Sequence, residues 1–509
     1  MSTVQLNSVL KQALGSQTIN LNLGQDAGTP YGLSSNSMLK VDSSNIKILE
    51  NSAKSAADKV MSQLASAEIS ELFNCGATVS LGNAICIQNF VKNFGAKLFR
   101  RPLSDLEIKK YVDFYNANKL GSASEGFNIL VEYLMMSPGF LYASEIGEVD
   151  KKSGLTSLTG LELASAISLF IENSAPDVEL IEAAVSGSLE DPLVLKAQIQ
   201  RLLTTKGGEF LYTFVYDWLN LDDLTLEGKE GIESILVNST YSKEKLRNDM
   251  LNEISLLSMS VINDHSGQFN KLLFNDTSRI NKSLAKIYGL PLADYTNNLF
   301  TETVLNDSQR LGLFTSAAYL NTFSGGTTHI QRGSHLNTDV MCISLAEFSD
   351  SPMAGDLDNP PKPGNDPTKT ARENFQAHST LPCAGCHTVM DPPGWGLGNF
   401  NNLGQFLATD IPSNKTIDAS GEIKFTSGAV AKFASPIEML TGISDKIDLR
   451  YCFADKMHRH YYGLPTKQQS SCEVKKQTKV FSASDSIIDL VVSTLSSEYA
   501  IKRIATYEP

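Results

Sequence analysis

One stretch constrains this chain more than any other. Residues Cys383-Ala384-Gly385-Cys386-His387 read C-x-x-C-H, the spacing that attaches a c-type haem. Two thiols three positions apart on one helical turn reach the two vinyl groups of one porphyrin. A histidine directly after the second thiol lies under the ring plane, where it ligates the iron. Two other chemistries start from the same thiols. Structural zinc takes four Cys or His ligands. The chain has no second C-x-x-C, so that set would be His378, Cys383, Cys386 and His387. A redox dithiol expects a βαβ setting. The flanks here, Thr380-Leu381-Pro382 and Asp391-Pro392-Pro393-Gly394-Trp395-Gly396, have loop and turn composition instead. One covalent haem c is the expected cofactor, and zinc the minor alternative.

Haem attachment of this kind is done outside the inner membrane, and the other cysteines agree with that compartment. Cys75 and Cys86 lie eleven positions apart around a Gly-containing bend, and Cys452 and Cys472 bracket another turn. Both pairs are expected to be local disulfides, which need an oxidising environment. Cys342 is then left over as a small buried hydrophobe. The start, Met1-Ser2-Thr3-Val4, has no basic n-region and no apolar h-region. The expectation is a periplasmic or cell-surface protein whose leader is missing from this chain. No run of apolar residues is long enough for a transmembrane helix. The formal net charge of −13 argues against a nucleic-acid or anionic-membrane surface, which needs a basic face.

The fold class is expected to be mainly α, with several small helical domains in tandem and a loop-rich, cytochrome-c-like region. The 509 residues divide as 1–82, an N-terminal helical segment; 83–150 and 151–225, two helical domains; 226–300, a helical continuation; 301–430, the domain with the haem motif; and 431–509, a C-terminal helical domain. Ser104 and Glu107 form a capping box that opens one helix, Thr159 opens another, and Ser278 to Tyr288 ends at Gly289. From 295 to 380 the pattern weakens into long connections around Gly325-Gly326, Pro352 and Asn359-Pro360-Pro361. Wrapping a porphyrin is one use for such loops.

Around the haem, Cys383 and Cys386 would form the thioethers. His387 would be the proximal iron ligand, its second nitrogen donating to a backbone carbonyl or a carboxylate. Asp391 to Gly394 would turn the chain back across the ring edge. Trp395 would pack at the porphyrin edge or in the core. Arg332 and Arg310 would hold the propionates, or else form surface ion pairs. The sixth ligand is open among Met439, Met457, His378 and His329, with His335 and Met341 also in range. His458 and His460, on either side of Arg459, read as solvated. No G-x-S-x-G, H-E-x-x-H or Walker loop is present. The expected function is electron transfer with a redox partner protein. The alternatives are a peroxidase-like haem enzyme with an open distal face and a non-catalytic scaffold stapled by haem or zinc.

Several segments, in order, resemble one family: large multi-domain bacterial proteins of unknown function with a single C-x-x-C-H, of planctomycete and myxobacterial type. The matching pieces are Leu6 to Gly15; Cys86 through Phe99-Arg100-Arg101-Pro102-Leu103; Leu158 to Ser165 with Pro176-Asp177; Asn281 to Gly289; Arg310 to Leu313; Arg332-Gly333; Cys383 to Gly394; and Cys452 to Gly463 with Cys472, Asp489 and Arg503. The resemblance covers nearly the whole chain. It implies a mainly helical, exported haem-c protein whose reaction is not established. It also implies a missing leader, since the chain begins inside the first recognisable helix. One departure follows the motif. The family reads Leu-Glu-x-Phe-Asp where this chain has Leu397-Gly398-Asn399-Phe400-Asn401, so two acidic positions are neutral.

Overall fold

Helix capping sets where many of the elements begin. Ser2, Ser104 and Thr159 each stand three residues before Gln5, Glu107 and Glu162, and each pair closes a reciprocal capping box. The computed structural model describes residues 1–15, 19–23, 46–76, 79–119, 121–149, 155–236, 241–295, 298–305, 308–323, 328–344, 364–376, 384–411, 413–462 and 471–504. The chain is mainly α-helical, with short strands only. No described helix is long and apolar enough to cross a membrane.

Two hydrophobic cores organise the helices. The first is built by Thr3–Leu14, Ile46–Ser62, Ala67–Phe73, Ala84–Phe99, Asp105–Asn118, Ala123–Met135 and Pro138–Leu141 around Phe73, Phe90, Phe94 and Phe127. Cys75 and Cys86 are bonded here, as the sequence predicts, tying the end of Ala67–Phe73 to the start of Ala84–Phe99. The second core runs from Leu158 to Leu495 and includes Trp218, Phe269, Phe314, Phe453 and Phe481. It takes in the long helices Pro192–Trp218 and Lys243–Asn263, and Val389 of the helix that carries the C-x-x-C-H motif packs against it. A three-stranded antiparallel sheet places Leu155–Ser157 between Glu148–Val149 and Lys502–Ile504. It brings the C-terminal end back to the connection between the cores.

Arg100 fastens one core to the other. It caps Ala84–Phe99 in a left-handed conformation with φ 58°, and its buried guanidinium donates to the carbonyls of Leu98, Gly139, Phe140 and Tyr142. Its Nε reaches Ser165 Oγ at 3.2 Å, on the first helix of the second core. Burial pulls the Arg100 pKa down to about 10.

The second cysteine pairing differs from the expectation. Cys452 is bonded to Cys342, not to Cys472. Cys452 lies on the buried face of Ile447–Tyr462, turned toward the segment that carries Asp339 and Cys342, whereas Cys472 is exposed near the start of the next helix. Helix phase therefore overrides closeness in sequence. The same helix corrects a second reading: His458 and Arg459 are buried and His460 nearly so, where the sequence suggests a solvated face. The cross-link closes a loop of 110 residues that contains the C-x-x-C-H motif. By loop entropy, Cys342→Ser with Cys452→Ser is expected to cost roughly 3–5 kcal/mol. Urea melts of the pair against Cys472→Ser, which should be neutral, measure it.

Candidate functional site

The C-x-x-C-H motif leads into a helix, Ala384–Gly396, that continues through Pro392 and Pro393. The sequence predicts a turn at Asp391 to Gly394, and the structure corrects it. Proline lacks the N–H that a helix needs, so the carbonyls of Thr388 and Val389 lose their partners four residues on. Val389 recovers one from outside: Asn337 Nδ2 donates to its oxygen at 2.9 Å. Asn337 belongs to a π-helical turn, Leu336–Val340, that continues the helix Thr328–His335. Thr388 itself is an exposed residue.

Thr328–His335 crosses the motif helix at backbone contact. A Cβ on Gly333 would stand 2.0 Å from Met390 O, and one on Gly394 would stand 1.9 Å from His329 O. Only glycine fits at either position. The crossing fixes how the motif helix is presented, and with it His387. His387 Nδ1 lies 2.8 Å from Asp391 Oδ1, one helical turn further on, and both side chains are 13% exposed. A carboxylate only accepts, so Nδ1 is the donor, and in the neutral ring Nε2 carries the lone pair. Cys386, beside His387, is half-buried and is a free thiol. Cys383 and His378 lie outside the described residues.

The other residues chosen from sequence lie elsewhere. Trp395 stacks on His329, ring centroids 3.8 Å apart at 15°, with Phe375 edge-on to His329 at 4.1 Å. This is the far end of the motif helix, roughly 12 Å from His387 at about 1.5 Å rise per residue. Met439 sits against Gly396, where an added Cβ would meet its sulfur at 2.2 Å. Met457 is in the core, fully buried on Ile447–Tyr462. His329 and Met439 thus pack against the far end of the motif helix, and Met457 in the core. His335 is buried, with Nε2 3.3 Å from Trp218 O, and burial pulls its pKa down to about 4. Among the described residues no group of three or more His, Cys, Asp or Glu is placed to hold a metal ion.

Arg332 is corrected as well. It is 1% exposed, and its guanidinium donates to five carbonyls: Leu320, Phe323, Leu397, Phe400 and Asn401. A propionate would find no N–H to take. Its pKa is pulled down to about 9 by burial. Arg310 is buried too, between the faces of Tyr288 and Phe400, donating to Thr315 O and Gly404 O. Both arginines strap the loop that follows the motif helix. Lys229 joins them, its ammonium donating to Asn321 O and Oδ1 and to Asn402 O, with burial pulling its pKa to about 7. Nothing in the local sequence marks Lys229 or Asn337 for these roles, since their partners are distant carbonyls. In the same loop Asn401 Oδ1 accepts from the amides of Leu403 and Gln405, both at 2.9 Å. A neutral side chain suffices for that turn, where the resembled family has an acid.

Three protein-family models match the chain. In order they are PSD5, protein of unknown function (DUF1595), residues 86–145; PSD4, protein of unknown function (DUF1592), residues 158–290; and PSCyt3, protein of unknown function (DUF1588), residues 310–410. The chain carries three domains typical of planctomycete-type, cytochrome-c-like multi-domain proteins of unknown function. The first matched domain lies within the first core, and the last spans the Gly333–Gly394 crossing and the C-x-x-C-H motif. No curated protein matches the chain, and no solved structure does.

Proposed function

We propose that this chain is an exported mono-haem c protein that exchanges electrons with a redox partner. The observation that carries the reading is the presentation of His387. The residue after the second motif thiol sits on a helix with Nδ1 engaged by Asp391, so that Nε2 is the ligating nitrogen. The described donors fit the group: Cys386 for a thioether and His387 for the iron, with Cys383 to supply the second thioether. A bound haem would supply a one-electron iron couple. The chain's own part is to orient the imidazole and brace the helix from behind, through Gly333, Asn337 and Arg332. Two disulfides support an oxidising compartment, and the periplasm or cell surface is the proposed location.

A second reading is peroxide chemistry at an open sixth position. It is favoured by the placement of His329, Met439 and Met457, each packed far along the motif helix or in the core. Spectra of protein made with haem-maturation machinery separate the two. A sharp reduced α-band with a low-spin ferric spectrum is expected for electron transfer. A high-spin ferric spectrum that changes with peroxide or cyanide would overturn that reading in favour of the second. No Soret band, with zinc found by elemental analysis, would sink both.

A further inference from the structure

The helix through Asp391-Pro392-Pro393-Gly394 goes against local preference. A residue before proline is biased away from helical angles, and here two successive residues precede a proline. The chain nevertheless stays helical, supported by the Asn337 bond to Val389 and the glycine crossing. Breaking a local rule at this point has one visible result. It sets Asp391 one turn below His387, with an oxygen 2.8 Å from Nδ1. Had the chain turned at Asp391, the carboxylate would have left the helix face. Of the other pairs at this spacing, Arg459–Asp455 is buried, whereas Lys109–Asp113 and Lys502–Glu498 stand in water. The His387–Asp391 pair is largely shielded from it.

A hydrogen bond from Nδ1–H to a carboxylate does two things that a bond to a backbone carbonyl does less strongly. It fixes the tautomer, and it draws electron density into the ring, making Nε2 a stronger donor to a metal. A stronger donor favours ferric over ferrous iron and lowers the potential. We propose that Asp391 is a positioning residue that locks His387 with Nε2 as ligand and sets the site at low potential. The site would then give electrons away readily and would be matched to an acceptor partner. This rests on the haem reading above.

The test has two independent arms. In the first, the full chain is loaded with haem and its potential is read by spectroelectrochemistry, haem content being checked on the same sample. Asp391→Asn is expected to raise the potential by about 59 mV, a tenfold shift in the oxidised-to-reduced ratio. Asp391→Glu keeps the charge and should stay nearer the parent. An unchanged potential in Asp391→Asn, or a larger rise in Asp391→Glu, would overturn the proposal. In the second arm, haem-free full chain with 15N-labelled histidine is studied by long-range 1H–15N NMR, and His387 is assigned with His387→Gln. The Nδ1–H form is expected in the parent and a shift toward Nε2–H in Asp391→Asn. A parent ring already in the Nε2–H form would refute the positioning role whether or not haem binds. If the parent takes up no haem, the haem reading fails by itself and this second arm still decides the role of Asp391. Parent-like thermal melts of both variants keep misfolding apart from either result.

Discussion

Gly394→Ala is expected to destabilise the motif unit by about 3 kcal/mol or more, and Gly333→Ala by a similar amount. A single Cβ at Gly394 would stand 1.9 Å from the His329 carbonyl oxygen. The obstacle is backbone in a helix, so it has no rotamer by which to yield. The two helices must separate or shear, and both routes break the Asn337 bond to Val389 and the Trp395 stack on His329. Overpacking of this kind typically costs 1–3 kcal/mol when side chains give way, and more when backbone must move. Gly82→Ala is the control, since its Cβ would find nothing nearer than 3.9 Å. That change should be neutral or slightly stabilising through the unfolded chain. Urea unfolding of the three variants reads the difference directly.

Arg332→Met is expected to cost roughly 4 kcal/mol, because it removes five hydrogen bonds made by one buried charge, and among the described residues only Leu397 O and Asn401 O keep another donor, the amides of Phe400 and Gly404. Methionine keeps much of the volume, so the loss isolates the hydrogen bonds rather than a cavity. Arg332→Lys should rescue little: an ammonium has three donors and no planar fork. The bonds to Leu397, Phe400 and Asn401 hold the loop directly after the motif helix. Limited proteolysis should therefore cut first within 397–405 in the variant. Arg279→Met, which removes an exposed ion pair to Glu302, should move stability by less than about 0.5 kcal/mol.

Much of the architecture was legible in local sequence because it is local physics. Capping boxes at Ser104 and Thr159 mark helix starts, and both are present. The Cys75–Cys86 bond joins neighbours across one bend. Failures arise where distant groups decide. Cys452 finds Cys342 because helix phase buries its thiol against a segment 110 residues away in sequence. Asp391-Pro392-Pro393-Gly394 reads as a turn because nothing nearby shows that Asn337 and Gly333 will hold it helical. Arg332 reads as a binder of carboxylates because its chemistry suits them, yet its donors go to carbonyls at the end of the helix Ala317–Thr322 and in the loop after the motif helix. His458 and His460 read as solvated because polar residues beside an arginine usually are, but both are turned inward, and Gln477 receives His458. The C-x-x-C-H motif itself was legible because it lies within five consecutive residues. The Asp391 partner of His387 emerges only once the helix is known to continue.

The most direct measurement is a pyridine haemochrome assay on the full chain produced alongside haem-maturation machinery, with intact mass read on the same sample. One covalently bound haem per chain, lost in Cys386→Ser with His387→Gln, is the expected result. A parent chain of unmodified mass and no haemochrome band, or two motif sulfurs found bonded to each other after that maturation, would contradict the assignment of Cys383, Cys386 and His387 to a haem.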